Sequence, residues 1–166
     1  ARYEGQAAME LESIAWSVLV GPDRGALASG EQIRARAAQI DVPELPFPDS
    51  RSADGLRVFE PGPLLVSLGR AFLGGGHPAL LAAAFHLAVA DRAVRTASEV
   101  AEEEGLGTVA LGGGTFQNAL LVPLIRDSLR ERGLEVLLPH LLGPNDGAIS
   151  YGQAAVAAGR TNQHGR

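Results

Sequence analysis

The stretch Val109–Asn118, VALGGGTFQN, holds the most suggestive chemistry in the chain: a β-forming run meets three glycines and then a helix-forming run. Glycines between a strand and a helix let backbone N–H groups approach an anion closely. The start of the helix adds its partial positive charge. A phosphate or a nucleotide is the natural ligand of such a turn. A tight turn that needs glycine only for its backbone angles has the same sequence. The spacing fits neither the dinucleotide fingerprint nor a P-loop, which would need a lysine that the chain lacks. A second stretch, Gly143-Pro144-Asn145-Asp146-Gly147, offers the Asp146 carboxylate to a metal or a substrate. Equally, Asn145 or Asp146 could cap the helix that follows. Both stretches follow strand candidates, and in an open α/β sheet ligands gather at the carboxyl ends of the strands.

The remaining candidates are sparser. Tyr3-Glu4-Gly5-Gln6 forms a polar cluster before a helix, where Glu4 and Gln6 could bond a ribose or a base. Four histidines, His77, His86, His140 and His164, show no metal-binding spacing. His86 lies inside an Ala-rich helical run and reads as a partly buried, hydrogen-bonded core residue. His140 lies close to the second loop, His77 reads as a surface residue at a helix start, and His164 falls in a polar tail. All 14 basic residues are Arg and there is no Cys, which removes lysine nucleophiles, Schiff bases, thiolates, disulfides and iron–sulfur ligands. No serine sits in a nucleophile elbow, and no catalytic residue is assigned.

These residues must be positioned by a chain of 166 residues, a one-domain length. Its net charge of −5 and its 5% aromatic content argue against a nucleic-acid surface. It shows no signal peptide and no apolar run long enough to span a membrane, and it is assigned to the cytoplasm. Apolar spacing predicts a helix over residues 7–20 that starts without lead-in, as a piece cut from a longer protein would. A short helix is expected over 30–40. Three prolines in VPELPFPDSRSADG keep residues 42–55 from extended regular structure. A strand over 56–60, punctuation at Pro61-Gly62-Pro63 and a helix over 64–73 follow. A long helix is expected from His77-Pro78 to about Glu104, whose acidic end reads as a solvated surface. Next come a strand over 108–111, a helix over 116–132, a strand over 134–138 and a helix over 148–158. This β-α-β-α order implies a parallel pair in an α/β sheet.

Taken together, YEGQAAMELE, FHLAVA, VALGGGTFQNALL and LLPHLLGPNDGAISYGQA resemble the C-terminal part of the HypF family, the carbamoyltransferases of NiFe-hydrogenase maturation. More distantly the chain resembles tRNA threonylcarbamoyltransferases and antibiotic O-carbamoyltransferases. The resemblance implies the second half of an actin/sugar-kinase/Hsp70-like (ribonuclease-H-like) nucleotide-binding domain. Residues 1–160 would form that subdomain, and residues 161–166 a disordered tail. It further implies that the full protein makes carbamoyl-adenylate from carbamoyl phosphate and ATP. The carbamoyl group would then pass to a C-terminal cysteine thiol of a HypE-type partner. Half of the cleft would lie upstream, and the chain alone would not turn over.

Residue by residue, Gly113 and Gly114 match the glycine pair that approaches the nucleotide phosphates. Asn118 matches the family's asparagine at the head of the next helix. Glu4 and Gly5 match the loop near the adenosine. Asp146 matches an aspartate of a site for one metal ion, iron or zinc, whose other ligands are a histidine pair outside this chain. Gly112 stands where the family often has Ser, Thr115 where it often has Val, and Gly143-Pro144 where a proline pair is usual. His86 and His140 sit at family-typical positions without an assigned role. The alternatives are a natural-product O-carbamoyltransferase and a catalytically idle module that binds nucleotide or partner. The tRNA-modifying reading is weakest, since its substrate favours a basic surface.

Overall fold

The structure is a computed structural model that describes residues 2–3, 5–22 and 28–164, without the side chains of 161–164. Helices α1 (Gln6–Leu19), α2 (Gly30–Gln39), α3 (Pro61–Leu73), α4 (Pro78–Glu103), α5 (Leu121–Glu131) and α6 (Ile149–His164) carry most of the described chain. Two short strand pairs join them: β1 (Asp49–Arg51) with β2 (Arg57–Phe59), and β3 (Thr108–Ala110) with β4 (Glu135–Leu137). α4 is the axis. α1, α3 and α5 pack on it, while α2 bridges α1 and α5. Its inward face is alanine-rich, with Ala82, Ala83 and Ala90 fully buried, and such small side chains let neighbouring helices lie close. Against them pack Ala15 and Leu19 of α1 and Leu124, Ile125 and Leu129 of α5, whose Leu124 and Leu129 are wholly enclosed.

β3 and β4 pair in parallel, with Thr108 opposite Glu135 and Val109 opposite Val136. The crossover between them runs through α5, so the expected β-α-β unit is present. Both strands therefore point their carboxyl ends the same way. β1 is an addition to the expectation. Its three residues follow Pro48 and pair antiparallel with β2, Ser50 opposite Val58. Arginine side chains hold this hairpin on α4. Arg92 donates to the Phe47 carbonyl at 2.7 Å and to Asp49 at 2.6 Å, and Arg57 bridges Asp49 and Glu99.

Other boundaries moved for local reasons. Pro61 and Pro63 open α3 rather than precede it, because a first helical turn needs no proline N–H. α4 begins where expected, with Pro78 in its first turn and His77 Nδ1 accepting the Ala79 N–H at 3.3 Å. A reciprocal bond between Ser29 and Gln32 caps α2. α6 extends past the expected 158 to His164. The largest shift concerns the helix expected over 116–132. The chain makes a 3₁₀ turn over Gly114–Gln117, breaks at Asn118, and starts α5 only at Leu121. Pro123 was the available signal, since it sits comfortably only within the first turn.

Candidate functional site

The two loops meet at the carboxyl ends of β3 and β4. The Gly113 N–H donates to the Pro144 carbonyl at 2.7 Å, tying the glycine turn to the loop that carries Asp146. Gly113 has φ 93° and ψ 163°, a conformation that in practice belongs to glycine. Neither backbone nor packing holds its two neighbours to glycine. Gly112 and Gly114 have no unusual φ, and a Cβ on either would meet nothing within 4 Å. Their missing side chains leave open space over the turn. The amides of Gly112, Gly114 and Thr115 find no acceptor among the described residues. Three amides without a described acceptor thus lie in exposed residues of one turn.

The start of α5 plays no part in this. The amides leading into it are taken: Ala119 N–H by Glu12 of α1 at 2.7 Å, Leu120 and Leu121 N–H by Asn118 Oδ1 at 3.0 and 2.9 Å, and Val122 N–H by the Asn118 carbonyl at 3.2 Å. The helix dipole that the sequence offered to a phosphate is already satisfied by a carboxylate and an amide oxygen. Asn118, expected at the nucleotide, stands three residues ahead of α5, and its Oδ1 takes the amides entering that helix. Its Nδ2 lies 3.2 Å from His86 Nε2. His86 is 2% exposed, and its Nδ1 lies 2.8 Å from the Ala82 carbonyl. A carbonyl only accepts, so Nδ1 carries the proton and Nε2 accepts from Asn118. Burial holds the imidazole below its ordinary pKa, against the opposing pulls of the Ala82 carbonyl and the Glu12 carboxylate. The histidine is therefore neutral and satisfied.

In the second loop, Asn145 rather than Asp146 makes the turn, its Oδ1 accepting the Gly147 N–H at 3.2 Å. Asp146 is exposed; its carbonyl accepts the Ile149 N–H, while its carboxylate takes no bond from a described residue and is available. No group of three metal-ligating side chains forms among the described residues. Asp146 alone does not make a metal site. His140 is exposed beyond β4. Glu4 lies outside the described residues. Gly5 has φ 81° ahead of α1, and its carbonyl accepts the Met9 N–H. Gln6, offered to a ribose, bonds Arg2 and Glu10. The turn and Asp146 are thus brought together, while Gly5 and Asn118 have local structural partners. No helix among the described residues is long and apolar enough to cross a membrane.

Residues 1–153 match the family described as "Carbamoyltransferase, Kae1-like Domain, second subdomain". Carbamoyltransferase HypF2 of Cupriavidus necator is 34% identical over 161 residues, covering 95% of this chain and 20% of that protein. Carbamoyltransferase HypF of Rhizobium leguminosarum bv. viciae is 36% identical over 157 residues, covering 93% of this chain and 17% of that protein. A full-length HypF solved in a phosphate- and nucleotide-bound form superposes with a TM-score of 0.73 at 27% identity, over 95% of this chain and 18% of that one. The chain spans about a fifth of the length of these relatives. The chain belongs to the HypF carbamoyltransferase family, and what it represents there is the second subdomain of the Kae1-like domain.

Proposed function

We propose that the chain is the phosphate-side half of a carbamoyl-transfer site. The observation that carries this reading is the Gly113–Pro144 bond. It sets three amides without an acceptor among the described residues, those of Gly112, Gly114 and Thr115, in the turn tied to the loop that bears the exposed Asp146 carboxylate. The ligand is ATP or the carbamoyl-adenylate formed from carbamoyl phosphate and ATP. The acceptor is the C-terminal cysteine thiol of a HypE-type protein in the cytoplasm, within hydrogenase maturation. In that transfer the thiol sulfur takes the carbamoyl carbon and AMP leaves. Preorganised amides suit the phosphate that gathers charge as the bond breaks. A divalent cation, when bound, supplies Lewis acidity. From this chain Asp146 would be one ligand, and the rest of the donor set would come from elsewhere in a longer protein.

Calorimetric titration of ATP into the chain, with and without a divalent cation, tests the reading. The expected result is nucleotide uptake whose cation-dependent part disappears in Asp146→Ala. Uptake that ignores both the cation and the substitution would leave a nucleotide-binding module without a metal role. No uptake by either protein would remove the preformed half-site.

A further inference from the structure

We propose that His86 is a positioning residue for the glycine turn, acting through Asn118. The inference rests on the nucleotide reading above and deepens it. The residues after the turn are held from two sides. Glu12 on α1 takes the Ala119 N–H at 2.7 Å. From α4, His86 Nε2 takes a proton of Asn118 Nδ2 at 3.2 Å. That second bond decides which way the Asn118 amide faces. An amide whose nitrogen points at His86 must turn its oxygen towards Leu120 and Leu121, where it closes the first turn of α5. The reversed amide would set an oxygen against a lone-pair nitrogen and leave two amides without their cap. The His86 tautomer is fixed in turn by the Ala82 carbonyl. A chain of directed bonds therefore runs from the α4 backbone to the point where the glycine turn joins α5. The Asn118 N–H closes onto the Thr115 carbonyl, so the turn inherits that anchor directly. His86 touches no ligand. Its role is to fix where the amides of Gly112, Gly114 and Thr115 stand, and a donor displaced by a fraction of an ångström loses most of its worth to a phosphate.

Two conservative variants separate this role from simple core filling. His86→Gln keeps an acceptor at the reach of Nε2, while His86→Asn keeps only the short reach of Nδ1 towards Ala82. Both are compared with the wild-type chain by circular dichroism for fold, by amide hydrogen exchange at Leu120 and Leu121, and by ATP titration. The expected result is a folded His86→Asn chain with faster exchange at both amides and about tenfold weaker ATP binding, the scale of one lost directed hydrogen bond. His86→Gln should restore both readouts. Unchanged exchange in His86→Asn overturns the inference whatever the titration shows. Faster exchange with undiminished ATP binding overturns it too, leaving the nucleotide reading in place. If the wild-type chain takes up no ATP, the nucleotide reading falls and this role for His86 falls with it. The exchange result then shows only whether His86 orients the cap.

Discussion

Three adjacent glycines do different work. At Gly113 the backbone itself requires glycine, at φ 93°. At Gly112 and Gly114 the backbone is ordinary and a Cβ would meet nothing within 4 Å. The expected outcome of an alanine series follows. Gly113→Ala should cost about 1–3 kcal/mol of stability through backbone strain. Gly112→Ala and Gly114→Ala should each cost less than about 0.5 kcal/mol, and Gly114→Ala should also weaken ATP binding, because its new methyl group occupies the ligand's approach. Urea denaturation and ATP titration of the three variants check this. Equal stability losses at all three positions would contradict the division of roles. At the same scale, Gly30 is glycine because of packing: a Cβ there would lie 2.6 Å from the Pro123 carbonyl oxygen.

α5 links the core to the site. Its inward face carries Leu121, Leu124, Ile125 and Leu129, and its start is pinned by Asn118 and Glu12. Because α5 joins the glycine turn to β4, a loosened α5 reaches both loops. Leu124 is wholly enclosed. Leu124→Ala should therefore cost about 2–5 kcal/mol, as large-to-small changes in enclosed cores do. Chemical denaturation gives the value, and a cost below about 1 kcal/mol would mean that the core is looser than its burial implies. The α2–α5 contact adds to this anchoring. The Gly30 N–H donates to Asp127 at 2.7 Å. Burial tends to raise the Asp127 carboxyl, but Arg126 and the Gly30 N–H outweigh it and hold the pKa below the ordinary value.

At the scale of the molecule, the buried His86 and the partly buried Asp127 make stability depend on pH. His86 binds its proton less readily when folded than its ordinary value of 6.5. The unfolded chain thus holds more protons below that pH, and stability should fall as pH drops through it. Asp127 works lower: its stabilisation is complete above its ordinary 3.8 and disappears as pH falls through its depressed folded value. Denaturation midpoints measured from about pH 7.5 to about pH 5.5 should decline, with a flatter profile in His86→Gln. A profile identical in the two proteins would show that His86 charges without cost in the folded state. α4 gathers three helices, and on another side its Arg92 and Glu99 hold the β1–β2 hairpin.

Sequence alone determined most of the elements. The period of apolar residues, the prolines at helix starts and the glycines at helix ends are local signals, and they placed α1, α2, α4, β3 and β4 within a few residues. The quoted motif blocks were specific enough to point to the family. The tertiary structure decided what no local pattern contains. β1 pairs with its near neighbour β2, and its Asp49 is held on α4 by Arg92, 43 residues further along the chain. The helix start offered to a phosphate turned out to be filled by Glu12, 107 residues away along the chain. Asn118 and His86 read separately as a ligand contact and a core histidine, and packing α4 against α5 joined them in one hydrogen-bonded chain. Long-range bonds of this kind depend on which helix faces meet, and that is set by the summed burial of many side chains rather than by the residues that make the bond.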